Sequence, residues 1–226
     1  KIARWSEAAG ASALLIFPPQ PLMLMQGQMK PEMGLAHFKT IADATDLPLI
    51  AFQYPNEMAY RMETMHRLKE EVPSLKAMKD WNMGQLHESH VRELQSDTRP
   101  FNVLSTNSAW LMSSLTMGAN GLLSGSGSVI ADLQVALFNA VRAGDLRRAQ
   151  AVNDRIYPTA QCFYGAPATD MHNRMKEALV MLGRLPKAVV RPPLTKLTEA
   201  ELAGVRDAIE KAGLTYEGAD YLRKAA

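Results

Sequence analysis

The sequence predicts an α/β protein: a parallel sheet of repeated βα units, followed by a wholly helical segment. Three observations carry this. Strand-like apolar runs alternate with amphipathic stretches about every 25 residues, as repeated βα units require. The first run, Ala13-Leu14-Leu15-Ile16-Phe17 closed by Pro18-Pro19, is continuously apolar, the pattern of a strand covered on both faces. Beyond Gly144 only the short Val189-Val190 could be a strand. The expected division is residues 1–143, a βα region carrying the site, and residues 144–226, a helical extension.

The elements follow in order. Ile2, Ala3, Trp5 and Ala9 show helical spacing from the first residues, with no cap or starting methionine, so sequence upstream is expected. After the first strand comes a methionine-rich loop to Pro31, which reads as local packing or a subunit contact. A helix over 32–44 places Leu35, Phe38 and Ile41 on one side, and a strand over 48–55 follows. A helix over 61–71 leads to the strand that ends at Lys79. A helix over 87–96 precedes Phe101-Asn102-Val103-Leu104-Ser105, whose exit Thr106-Asn107-Ser108 is expected to cap the helix over 110–117. Gly121-Leu122-Leu123-Ser124 is the fifth strand, and a helix covers 131–143. Helices over 145–156, 170–182 and 199–212 complete the chain, the last opened by a capping box, Thr198 and Glu201.

Composition narrows the function classes. The 226 residues can bury one sizeable core, and the net charge of +2 offers no nucleic-acid groove or polybasic membrane patch. The lone Cys162 excludes an internal disulfide framework and fits a reducing, cytoplasmic setting. No apolar run approaches the length of a membrane span, and the first residues do not read as a secretion signal.

The chemistry is expected at Ser74-Leu75-Lys76-Ala77-Met78-Lys79-Asp80-Trp81. Strand alternation puts Leu75, Ala77 and Lys79 on one face and Met78 on the other. A lysine at the apolar end of a strand either snorkels its ammonium into water or is desolvated, so that the neutral amine can attack a carbonyl and form a Schiff base. In parallel sheets the carboxyl ends of the strands carry the site, and Tyr54 leaves the preceding strand at the same end. A tyrosine hydroxyl there can relay protons to a carbinolamine, or simply pack.

Other constellations carry less. His87-Glu88-Ser89-His90 has its histidines three apart rather than the four of a zinc-protease helix and lacks a third ligand, so no metal is expected. Gly125-Ser126-Gly127-Ser128 could cradle an anion, or be a tight turn with a serine N-cap. Cys162 reads as a packed thiol.

The chain resembles the dihydrodipicolinate synthase and N-acetylneuraminate lyase family of lysine-dependent aldolases. Ala9 to Pro19 is similar to that family's "AGADALLVVPP", Leu75 to Asp80 to "VGIKDSS", Gly121 to Ser124 to "GVIS", and Ala143-Gly144-Asp145-Leu146 with Asn153-Asp154 to "AGDLARARALNDR". His37-Phe38-Lys39, Ala44 to Pro48, Met175 to Leu182 and Pro192 to Leu197 extend the likeness over nearly the whole chain.

The resemblance implies a (β/α)8 TIM barrel with a C-terminal three-helix extension and a homotetramer. Five of the eight strands are present here, and five cannot close a barrel, so the missing part is expected upstream. It also implies a lyase that forms a Schiff base at Lys79 with a 2-keto acid such as pyruvate or a keto-sugar acid, without a cofactor. Two departures bear on this. The family's catalytic tyrosine falls on Phe52, so Tyr54 is the candidate replacement. The arginine that holds the aldehyde's carboxylate in the synthases falls on Glu57, which would repel an anion. The loop before residue 31 is also longer than the family's and lacks its tyrosine pair. Phe52, Thr106, Leu123, Ser124 and Gly125 are the expected lining of the substrate pocket. The competing expectation is a non-catalytic 2-keto acid binding protein, which Phe52 favours.

Overall fold

The computed structural model describes residues 1–19, 22–95 and 99–216. Five strands form one parallel sheet in sequential order: β1 (Leu14–Ile16), β2 (Leu49–Gln53), β3 (Leu75–Asp80), β4 (Asn102–Ser105) and β5 (Gly121–Leu122). Helices α1 (Ile2–Ala8), α2 (Pro31–Ala42), α3 (Met62–Glu71), α4 (Gly84–Gln95) and α5 (Leu111–Thr116) alternate with them. Sequential parallel neighbours require crossovers, and the helices supply them. This is the predicted βα repeat.

The described residues fall into two compact units, the first Lys1–Leu123 and the second beginning at Ser124. In the first, Leu49, Ala51, Leu75, Met78 and Val103 from the sheet meet Leu35, Phe38, Met65, Leu68, Val91 and Leu94 from the helices, all buried. Each of the Val, Leu, Phe and Met side chains contributes about 1.5–3 kcal/mol through removal from water.

The second unit is helical: α6 (Gly127–Arg142), α7 (Leu146–Tyr164), α8 (Met171–Met181) and α9 (Glu199–Lys211). The predicted capping box is present, with Thr198 Oγ1 accepting from Glu201 N and Glu201 Oε2 accepting from Thr198 N.

Two elements depart from the sequence reading. α5 is entered at Trp110 with no side-chain cap, so Ser108 does not serve it as one. α7 continues through Pro158 to Tyr164 instead of ending near Ile156; proline removes one intrahelical hydrogen bond, and packing of Thr159, Ala160 and Phe163, all buried, holds the helix beyond it.

Candidate active site

β3 places its side chains alternately. Met78 and Asp80 are fully buried on one face, while Ala77 and Lys79 take the other. In the ladder Lys79 is flanked by Phe52 of β2 and Leu104 of β4. Its Nζ lies 5.3 Å from the centre of the Phe52 ring. Among the described residues the amine has no hydrogen bond or ion pair. Lys79 is half-buried, and desolvation lowers its pKa from the ordinary value of 10.5.

Phe52 is the hub of an aromatic cluster. Its ring stacks on Phe17 at 4.6 Å and meets Tyr54 edge-on at 4.7 Å and Trp81 at 6.4 Å. Tyr54, one residue past the end of β2, also lies 6.4 Å from Trp81. Burial raises the Tyr54 phenol above its usual value, so it stays protonated near neutral pH. Lys79, Phe52 and Tyr54 are thus brought together, with the phenyl ring touching both of the others.

The remaining expected residues are distributed along the chain's other strand exits. Thr106 is buried, one residue beyond β4, and its N–H donates to Asp80 O at 2.9 Å. Leu123 N–H, one residue beyond β5, donates to Ser105 O at 2.9 Å. Ser124 and Gly125 open the second unit. There Ser124 Oγ lies 3.0 Å from Ser126 Oγ, and the N–H of Ser126 donates to Tyr164 Oη at 3.0 Å. With Gly127 N donating to Ser124 O and Ser128 N to Gly125 O, three N–H groups of the glycine-serine turn are engaged by protein rather than presented to an anion.

Behind the lysine lies a polar network that sequence reasoning missed. Asp80 Oδ2 accepts from His87 Nδ1 and His90 Nδ1, each at 2.8 Å. Asp80 Oδ1 accepts from Asn82 N at 3.1 Å and Asn82 Nδ2 at 2.7 Å. Burial pushes the Asp80 carboxyl up, but the hydrogen bonds from the two histidines outweigh it and hold the group well below the usual carboxylate range. His87 Nε2 lies 2.7 Å from Ser114 Oγ, and His90 Nε2 accepts from Gln53 Nε2 at 3.4 Å. Ser114, His87 and Asp80 have the order of a serine-hydrolase triad, yet all three are sealed from solvent. They brace the sheet rather than meet a substrate. The spacing that argued against a shared metal places both rings on one face of α4, aimed at one carboxylate.

Two further carboxamides hold the exit of β2. Gln26, from the 3-10 segment Leu22–Gln28, donates through Nε2 to Phe52 O at 2.7 Å and accepts from Tyr54 N at 3.1 Å. Asn82 donates through Nδ2 to Tyr54 O at 3.0 Å and accepts from Asn56 N at 2.7 Å. Both side chains are buried. Glu57 is exposed in the short 3-10 turn Asn56–Met58.

A parallel sheet of βα units whose half-buried lysine, at a strand's carboxyl end, has no ion pair among the described residues defines the class: an α/β protein with a reactive-amine candidate. The chain belongs to the dihydrodipicolinate synthetase family, whose model matches residues 1–212. It is 33 % identical over 188 residues to a 4-hydroxy-tetrahydrodipicolinate synthase of Symbiobacterium thermophilum, covering 81 % of this chain and 61 % of the relative. To the synthase of Haloarcula marismortui it is 30 % identical over 215 residues, covering 92 % and 65 %. The chain thus spans less than two thirds of either relative. Dihydrodipicolinate synthase from Thermotoga maritima superposes with a TM-score of 0.82 at 21 % identity, over 94 % of this chain and 70 % of that one. A prophage protein of the same family from E. coli K12, solved in complex with pyruvate, gives the same score, identity and coverage. The fold is accordingly that of the family's TIM barrel. Among the described residues no helix is long and apolar enough to cross a membrane.

Proposed function

We propose that this chain carries the reactive centre of a Schiff-base-forming lyase, an aldolase or dehydratase acting on a 2-keto acid such as pyruvate or a keto-sugar acid. The observation that carries the reading is Lys79: a desolvated amine at the carboxyl end of β3, beside the Phe52 ring and without an ion-pair partner among the described residues. Neutral Nζ attacks the ketone carbon and the carbonyl electrons move to oxygen; the proton that the attached nitrogen loses passes to that oxygen, giving a neutral carbinolamine. The restored nitrogen lone pair expels the hydroxyl as water with a proton from Tyr54, leaving an iminium and the Tyr54 phenolate. In an aldol cleavage the phenolate takes the C4 hydroxyl proton as the C3–C4 bonding electrons move into the iminium; in a dehydration it takes the C3 proton and the C–H electrons move there instead. The chemistry uses no cofactor beyond the lysine.

Phe52, Thr106, Leu123, Ser124 and Gly125 are assigned to the pocket lining, and the boundary after residue 143 to the end of the barrel portion. Glu57 stands where the resemblance puts a carboxylate-binding arginine, which favours keto-sugar acids over the synthase's aldehyde. A cytoplasmic homotetramer completes the reading by analogy with the family. The rival, a keto-acid binder without turnover, has Phe52 in its favour. The test is incubation of the full-length protein with pyruvate and sodium borohydride, followed by peptide mass spectrometry. A reduced adduct on Lys79 is expected; no adduct with pyruvate or a panel of longer 2-keto acids overturns the proposal.

A further inference from the structure

The hydrogen bonds around Tyr54 have a regularity that packing alone does not require. In a parallel ladder, one residue bonds the C=O of its neighbour's residue j−1 and the N–H of residue j+1. Gln26 makes this pattern with a side chain: its carboxamide takes Phe52 O and Tyr54 N, the groups flanking Gln53. β1 has already ended at Ile16, so the ladder on that side is continued by a side chain. On the β3 side the ladder's own last bond is Trp81 N–H to Gln53 O, and beyond it Asn82 spans Tyr54 O and Asn56 N, the groups flanking Pro55. Both peptide groups of Tyr54 are therefore held beyond the last residue of β2, one by each carboxamide. Asn82 is itself oriented, because its Nδ2 also donates to Asp80 Oδ1, and a carboxylate can only accept. Two buried histidines in turn fix that carboxylate.

We propose that Gln26 and Asn82 are positioning residues: they hold the N–H and the C=O of Tyr54 and so keep its phenol where it serves Lys79, with Asp80 anchoring Asn82. The inference rests on the reading of Lys79 as the Schiff-base lysine and Tyr54 as its proton relay. It explains why a residue outside the regular strand has a defined place.

The experiment is a pair of double-mutant cycles in the full-length protein, Asn82→Ala and Gln26→Leu, each alone and with Tyr54→Phe. The readout is the rate of pyruvate trapping on Lys79 by borohydride as a function of pyruvate concentration. Each single variant should slow the maximal rate by about ten- to a hundredfold, as small misplacements of a catalytic group do, with half-saturation unchanged within about twofold. In the Tyr54→Phe background neither should slow it further, because residues that act through Tyr54 have nothing left to position. An equal loss in both backgrounds overturns the positioning role while leaving the Schiff-base reading intact. Lack of a Lys79 adduct in the unmutated protein, or an unchanged rate in Tyr54→Phe, removes the reading and the proposal together. Cooperative thermal melts identify a variant that fails to fold, and the two cycles approach Tyr54 from opposite sides, so either one decides.

Discussion

Lys79 and Phe52 face each other across the β2–β3 ladder, and the amine of one lies 5.3 Å from the centre of the other's ring. The ring removes water from one side of the amine and gives it the weak attraction of an aromatic face. The first effect lowers the amine's pKa and the second favours its charge; the lowered value shows that desolvation dominates. Phe52→Ala should therefore do two things. Loss of a buried ring costs about 3–5 kcal/mol of stability, read by urea unfolding. Water reaching Lys79 should move the pH at which pyruvate is trapped upward. A destabilised variant with an unchanged pH profile would reduce Phe52 to a packing residue.

Lys79→Met should raise the melting temperature near neutral pH. The sign follows from the lowered pKa. Between the folded-state value and 10.5 the unfolded chain holds the proton more tightly, so stability from this group rises with pH through that window. Below the window the charged amine costs desolvation in the folded state, and methionine avoids that cost. Thermal melts of both proteins between about pH 7 and pH 10 should show a gap that narrows as pH rises. A constant gap would mean that Lys79 is solvated like an ordinary surface lysine.

Asp80→Asn should destabilise by about 3–5 kcal/mol, the cost of breaking a buried charged cluster by removing one member. An asparagine offers one oxygen where the carboxylate now accepts from His87, His90 and Asn82. Because the folded-state pKa is depressed, the stabilisation is present above the ordinary value of 3.8 and lost as pH falls through the depressed one. The variant should accordingly lose less stability on acidification than the parent. Urea titrations at neutral and acid pH measure both quantities.

Much of this architecture is legible in the sequence because it is local. β2, β3 and β4 are apolar runs with turn signals at their ends, and Lys79 stands out as a charge where an apolar residue is expected. The Thr198–Glu201 box is a four-residue pattern with its own mechanism. What is not legible depends on partners distant in sequence. Gln26 sits in a methionine-rich stretch without periodicity, and the backbone groups it satisfies belong to Phe52 and Tyr54. The spacing of His87 and His90 predicts a shared face but not that Asp80, in the preceding strand, is what they share. α7 passes through Pro158 because tertiary packing outweighs a local helix breaker.

Gly27 supplies a last test, independent of side-chain chemistry. A Cβ built there would lie 2.0 Å from Glu57 O and 2.8 Å from Ala59 O. Both are backbone atoms and cannot rotate aside, so Gly27→Ala must push the 3-10 segment and the turn after β2 apart. The adjacent residue is Gln26, whose carboxamide spans Phe52 and Tyr54, and Arg61 Nε donates to Gly27 O at 3.0 Å. Overpacking of this kind costs about 1–3 kcal/mol. If the segment holds Tyr54 in place, pyruvate trapping should slow along with the loss of stability. Gly204→Ala is the control: it lies on the exposed face of α9 with no atom within 4 Å of the added carbon, and should stabilise by up to about 1 kcal/mol through helix propensity without altering trapping. Thermal unfolding and the trapping rate of both variants, measured side by side, separate the two effects. A Gly27→Ala protein as stable and as reactive as the parent would show that the close approach of the two backbones is dispensable.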